Sequence, residues 1–422
     1  METHVRPYVG SALDSKNIPV RDSGLSLHKL TLAESIGIIV GTNIGAGILG
    51  LAYASRKAGY LPLLLWLAVA GIFTCISMLY VAEICLRTKG NHQLSGLAEH
   101  HLGRAGAWLL FAGVAANSYG ALTAYIAGSG EIMNSFFGSM GVTRPIGSLL
   151  FFIPAVIILY TGLKAVGKGI TLISGSMVLL IATLIAATIT HEKSTLQNLW
   201  QAQWPNMLPV FNIAVFCFSA QYMVPEIARG NKDTPRRLAP AIIAGIAGSF
   251  ILLAAVPAAV ISLDGMENLS QVATITWGTT LGVWAYYTAN VFALLAMLTS
   301  YWGLSGSLVS NIFDHFMIGR DTIPAKRLFV LTLVCIPPFF IAYSNAANFV
   351  DALYFAGTFG GVFIATLPIF MLNRARKANP ERLPWQCGWY ACRPVQTIIL
   401  LLFLGSAVYA VAAAAGYIPP AW

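Results

Sequence analysis

After an opening polar stretch, the chain alternates long apolar runs with short connections in which basic residues gather. Eleven runs stand out, at about residues 32–56, 60–86, 104–137, 146–163, 166–190, 207–229, 237–263, 280–313, 325–343, 346–372 and 394–417. Each is near or above the roughly 20 residues that a membrane-spanning helix needs. Lipid admits only helices and closed barrels, and a barrel would show weak alternating segments of about ten residues instead. The pattern therefore predicts an all-α polytopic membrane protein, with the third and eighth runs long enough to tilt or to extend into the loops. Residues 1–30 have no apolar core and read as a cytoplasmic tail, amphipathic near Leu25–Leu30, not as a signal peptide.

Composition supports the same class. Only 10% of the 422 residues are charged, against about 25% in soluble domains, too few to cover a water-soluble surface. The net charge of +9 would point to nucleic acid in a soluble protein, but its placement gives another reading. With the N-terminus inside, only Arg56, Lys57, Arg144 and Lys193 fall outside, and the other 21 of 25 bases fall on the cytoplasmic side. Eleven spans with N inside and C outside satisfy the positive-inside bias. The excess charge is then an orientation signal favoured by anionic inner-leaflet lipid, and no nucleic-acid partner is implied. Four cysteines lie in apolar runs as small packing residues. Cys387 and Cys392 share a cytoplasmic loop at a C-x4-C spacing without histidine, weak for zinc and in a compartment that disfavours disulfides.

Chemistry concentrates where the apolar runs are interrupted. The first contains Gly41-Thr42-Asn43-Ile44-Gly45-Ala46-Gly47 at mid-membrane. Gly41-x-x-x-Gly45 fits a packing face between helices. The alternative is a helix that unwinds at its centre, since Asn and Gly both favour leaving the α ladder. Unwinding would aim the amides of Gly45–Gly47 at a carboxylate and offer carbonyls of 41–44 to an ammonium or cation. The sixth run reads Phe216-Cys217-Phe218-Ser219-Ala220-Gln221-Tyr222-Met223-Val224-Pro225-Glu226, with small polar residues mid-span before a proline that disfavours helix at Val224. Interruptions five runs apart match two inverted repeats. In the eighth run, Thr299 and Ser300 either bond back to their own helix or supply oxygens to a hard monovalent cation.

Together these stretches resemble a known group. Gly41-Thr42-Asn43-Ile44-Gly45-Ala46-Gly47-Ile48-Leu49 is similar to the G-T-x-I-G-A-G-[IM]-L signature of bacterial aromatic amino acid permeases, close to the amino acid/auxin permeases of the amino acid–polyamine–organocation superfamily. Ala121-Leu122-Thr123-Ala124-Tyr125-Ile126-Ala127-Gly128-Ser129-Gly130-Glu131 resembles that group's A-L-x-A-Y-I-x-G-x-[GA]-E run. The resemblance implies a leucine-transporter fold, with 31–190 and 207–372 as inverted five-helix repeats and 373–422 as a loop and an eleventh helix. It implies a multi-pass protein of the bacterial inner membrane that imports a neutral amino acid, aromatic and hydrophobic ones among the candidates, on a Na+ or H+ gradient. Asn43, Gly45, Ala46, Gly47, Tyr125, Phe218, Ser219, Ala220 and Gln221 would then face the substrate. Gly41, Ile44, Thr299 and Ser300 match the superfamily's second sodium site. Two departures stand out: Gln221 where many aromatic permeases have His, and Ser174 and Ser176 in the fifth run where some proton-coupled members have Lys.

Charges inside a membrane are functional by default. Glu83 can pair with Arg87 at i,i+4. Glu226, one turn from the sixth-run break, is the proton-relay or inner-gate candidate, with Arg229 as a plain ion-pair alternative. Asp351 and Arg56 are candidates for an outer gate. An amino acid sensor on a transporter fold is the alternative function. An enzyme is disfavoured, because all seven histidines lie in the tail or loops and neither H-E-x-x-H nor G-x-S-x-G occurs. No pore-lining ring or ATP-binding loop is present either. No cofactor is expected beyond Na+ as a coupling ion.

Overall fold

The computed structural model describes residues 29–90, 92–161, 167–316 and 323–418. The tail before residue 29, the bases Lys164 and Arg320 and the Ser174 side chain fall outside the described residues.

Among the described residues, each of the eleven apolar runs is largely helical. The first is split into α1 (Leu32–Asn43) and α2 (Gly47–Ala54). A capping box starts it: the Thr31 side chain accepts from the Glu34 N–H, and the Glu34 carboxylate accepts from the Thr31 N–H. Then come α3 (Tyr60–Arg87), α4 (Leu94–Phe137), α5 (Arg144–Thr161) and α6 (Gly167–Ile189). The sixth run is α7 (Leu208–Cys217) and α8 (Val224–Gly230), joined by a 3-10 turn, and α9 is Leu238–Asp264. After α10 (Ala273–Leu281) come α11 (Val283–His315) and α12 (Pro324–Tyr343). The tenth run is α13 (Phe349–Phe355), a π turn (Ala356–Gly360) and α14 (Gly361–Ala378), and α15 spans Arg393–Ala414. Among the described residues, eight helices are long and apolar enough to cross a membrane, or nine counting the bent α1–α2 pair.

Two boundaries differ from the sequence expectation. α4 begins at Leu94, ten residues early, because Gly103 at φ +76 turns the chain between a short leading helix and the span proper. Gly282, at φ +110, likewise separates α10 from α11.

α4 runs through the middle of the molecule, packed by α5, α11, α12, α13 and α14. At one end of α3 the i,i+4 pair forms and extends into a network. Glu83 is fully buried. Its Oε1 accepts from Arg87 Nε and Arg376 Nε, each at 2.8 Å, and its Oε2 from Arg376 Nη2 at 2.8 Å and the Cys387 N–H at 2.7 Å. Arg87 also donates to the carbonyls of Asn379 and Glu381. This carboxylate thus ties the loop before α15 to α3. Cys387 is a buried part of that anchor, its thiol donating to the Leu79 carbonyl at 3.3 Å.

Candidate functional site

Both expected interruptions are present. α1 closes with the Ile44 N–H on the Val40 carbonyl at 2.9 Å, and the ladder resumes with the Ile48 N–H on Gly45 O at 3.3 Å. The axes of α1 and α2 bend by 47° across this gap. The glycines are required by close approach. A Cβ at Gly45 would lie 3.3 Å from Ser300 Oγ and 3.6 Å from the Tyr125 hydroxyl, and one at Gly47 2.9 Å from the Phe216 ring and 3.1 Å from Cys217 Sγ.

In the sixth run the helix ends at Cys217, and Phe218 (φ −110, ψ 16) and Ser219 (φ −81, ψ 32) leave it. The Ser219 hydroxyl folds back to donate to the Phe216 carbonyl. Pro225 does not make the break. Val224 is helical (φ −59, ψ −40), and the proline sits in the first turn of α8, where its missing N–H costs no hydrogen bond.

The two breaks meet α4 and α11 around one narrow cavity. Thr42, Asn43, Gly45 and Gly47 line it from the first break, and Phe216, Ser219 and Tyr222 from the second. α4 contributes Asn117 and Tyr125, and α11 contributes Leu304. Six of these ten residues carry a side-chain polar atom. The cavity holds about 20 Å³, room for a water molecule but not for an amino acid. Asn43 donates from Nδ2 to Ser249 Oγ at 3.1 Å, while its buried Oδ1 accepts from no group among the described residues. A buried acceptor without a donor on a cavity wall is a place for a ligand N–H.

Of the residues expected at the substrate, Asn43, Gly45, Gly47, Tyr125 and Ser219 line this cavity. Ala46 is buried as the residue that opens α2. Phe218 turns away, its ring 3.2 Å from where a Cβ on Gly71 would stand. Ala220 and Gln221 are buried in the 3-10 turn, and Gln221 Oε1 accepts no hydrogen bond among the described residues. The sequence reading missed Thr42, Asn117, Phe216, Tyr222 and Leu304. Leu304 follows Ser300 by one helical turn, and Asn117 precedes Tyr125 by about two, so helical spacing carried a signal for both.

For the cation-site residues, Ser300 comes to the first break beside Gly45. The Thr299 hydroxyl donates to the Ala296 carbonyl at 3.0 Å, keeping its oxygen as an acceptor. Ile44 is buried, and Gly41 is exposed with open space beside it. For the gate candidates, Glu226 is exposed on the first turn of α8. Arg56 lies 4.1 Å over the Tyr53 ring, and the Asp351 N–H is capped by Asn348 Oδ1 at 2.9 Å.

Broken apolar helices around a buried, partly polar cavity, on a scaffold of long apolar helices, are the architecture of a multi-pass membrane protein. The chain belongs to the tryptophan/tyrosine permease family, whose model matches residues 29–412. It is 25% identical over 400 residues to the tyrosine-specific transport system 1 of Haemophilus influenzae, covering 90% of this chain and 97% of that protein. A tryptophan-specific transport protein of Pseudomonas aeruginosa is 22% identical over 407 residues, 90% and 94% of the two chains. The glutamine transporter 2 of Aliivibrio fischeri is 24% identical over 361 residues, 82% and 89% of the two chains.

Proposed function

We propose that the protein is a secondary active symporter that imports a neutral amino acid through the bacterial inner membrane by alternating access. In this reading it has the leucine-transporter arrangement of two inverted five-helix repeats plus an eleventh helix, N inside and C outside, within the amino acid–polyamine–organocation superfamily. The observation that carries the proposal is the meeting of two helix breaks, five runs apart, at one cavity. The amides that open α2 are suited to the α-carboxylate, and the free Oδ1 of Asn43 to the α-ammonium. The named relatives handle tyrosine, tryptophan and glutamine, three side chains that each end in an N–H or O–H donor. A substrate of that class fits a wall as polar as this one.

Sodium is the coupling ion we favour, with Gly41 and Ile44 carbonyls and the Thr299 and Ser300 hydroxyls as the oxygen set that would hold it. Ser300 beside the first break supports that set. The test is uptake of labelled tyrosine, tryptophan and glutamine into proteoliposomes with sodium and pH gradients imposed separately. Accumulation should follow the sodium gradient. Accumulation on the pH gradient alone would assign the proton instead, and accumulation on neither would refute symport.

A further inference from the structure

The tenth run contains a five-residue π turn, Ala356–Gly360, between α13 and α14. Such turns are rare and gather at functional sites. This one presses against two walls of the cavity from behind. A Cβ at Gly360 would fall 2.4 Å from Cβ and 2.8 Å from N of Asn117, and a Cβ at Gly357 would fall 1.8 Å from the Asn212 carbonyl oxygen and 3.1 Å from Phe216 Cβ. The turn is therefore in backbone contact with α4 at Asn117 and with α7 at Asn212.

Asn117 is the residue that this contact holds. It is 3% exposed, it lines the cavity, and its Nδ2 donates to the Ala356 carbonyl at 3.3 Å. That same carbonyl accepts the Gly361 N–H, so the π turn supplies the anchor. With one Nδ2 hydrogen given to Ala356 the amide is oriented, and Oδ1 is its acceptor atom. Tyr125, beside the first break, stands eight residues further along α4, about 12 Å by helical rise. The cavity is thus walled by backbone at Gly45 and Gly47 and by the Asn117 side chain.

We propose that Asn117 determines specificity by accepting a hydrogen bond from the N–H or O–H at the end of the substrate's side chain, with the π turn fixing its amide in that orientation. The inference rests on the transport reading above and deepens it. A buried acceptor left unpaired by an analogue without the donor penalises that analogue.

The experiment uses the full chain in proteoliposomes. Labelled tyrosine, tryptophan and glutamine serve as uptake probes, with unlabelled phenylalanine and norleucine as analogues that lack the donor. The wild type should prefer a donor substrate over its matched analogue by about tenfold or more. Asn117→Leu should bring that ratio within about twofold of one, through a larger loss of affinity for the donor substrates than for phenylalanine. Asn117→Ser, which keeps an acceptor, should retain part of the preference. Gly360→Ala, whose methyl would displace Asn117, should raise KM for the donor substrate by a larger factor than it raises the inhibition constant of the matched analogue.

If the wild type accumulates a donor substrate but does not discriminate, the inference falls and transport stands; this arm needs no variant to fold. Folded Asn117→Leu protein with an unaltered ratio overturns it equally. If the wild type accumulates no amino acid, the transport reading fails first and takes this inference with it.

Discussion

Replacing Glu83 by Gln tests the buried network that fastens the loop before α15. The carboxylate is fully buried and receives four hydrogen bonds between 2.7 and 2.8 Å, two on each oxygen. Gln keeps one acceptor oxygen and turns an NH2 group toward the donors of the other, so two of the four bonds become donor facing donor. The negative charge that balances Arg87 and Arg376 also goes. Removing one partner of a buried ion pair costs about 3–5 kcal/mol. Two features place this case near the lower figure. Arg87 keeps the Asn379 and Glu381 carbonyls, and the Arg376 side chain is 32% exposed and partly screened by water. About 3 kcal/mol is still a large share of a stability that is typically 5–15 kcal/mol. The assay is reversible denaturant unfolding in lipid-detergent micelles, followed by tryptophan fluorescence, on Glu83→Gln, Arg376→Gln and the double variant. The double variant should lose less than the sum of the singles by at least about 1 kcal/mol, because the two groups share one network. A loss below about 1 kcal/mol for Glu83→Gln, or strict additivity, would refute the reasoning.

Gly47→Ala should lower uptake of every substrate while the protein stays folded, because the new methyl meets the Phe216 ring at 2.9 Å and overpacking costs about 1–3 kcal/mol; unchanged uptake kinetics would count against the close approach of the two breaks. N-ethylmaleimide at neutral pH should modify exposed Cys392 well before Cys387, whose thiol is pushed up by burial and then by the neighbouring Glu83 charge; peptide mass spectrometry gives the order, and Glu83→Gln should speed labelling of Cys387. Lys29 and Asp233 form an exposed ion pair at 2.8 Å, in which the hydrogen bond and charge of Lys29 hold the Asp233 carboxyl below its ordinary range and Asp233 raises Lys29. The pair therefore contributes above the ordinary Asp range, is lost as pH falls through the lowered Asp233 value, and is lost again as pH rises through the raised Lys29 value. Fully solvated as it is, Asp233→Asn should move the melting temperature no more than replicate scatter at pH 7, in contrast to Glu83→Gln.

Much of this architecture is legible in the chain because hydrophobic length alone marks the helices. The breaks are legible for a related reason: Gly45, Gly47 and Ser219 are small or polar where a plain span would be bulky and apolar. Resemblance led to the family, and the family model agrees. Side-chain direction near a break is a different matter. Across Phe216–Tyr222 the chain passes from α to irregular to 3-10 geometry, so no single period assigns faces. The sequence accordingly points to Phe218 and Gln221 at the substrate, whereas the cavity is lined by Phe216 and Tyr222. Pro225 misled for the opposite reason, because a proline breaks a helix only when it is not near the start of one. The π turn left no expectation at all, since Ala356-Gly357-Thr358-Phe359-Gly360 reads as ordinary small-residue packing until the partners of Gly357 and Gly360 are known.

In the transport reading proposed above, the narrow cavity puts a condition on how an amino acid enters. Ligand pockets usually hold several hundred Å³, so walls around 20 Å³ must part. The Asn117 wall is poorly placed to move, because the π turn meets it and α7 backbone to backbone, with no side chain between to yield. The opposite wall is built differently. α2 is eight residues long, joined to α1 through a bend that carries three glycines within seven residues. Its outer contact is apolar: Phe349 and Leu353 of α13 rest on Gly50, and the buried Phe349 ring also reaches Gly128 of α4. Apolar contacts of this kind can slide, so a shift of α1–α2 puts at stake the Asn43–Ser249 hydrogen bond to α9, whereas shifting Asn117 would strip its amide from Ala356 and also break the backbone contacts of the π turn. Opening at α1–α2 with α4, α7 and the π turn held fixed therefore breaks fewer backbone contacts than a shift of the Asn117 wall would. In the transport reading proposed above, it would keep the Asn117 wall intact while the Gly45–Gly47 wall opens and closes.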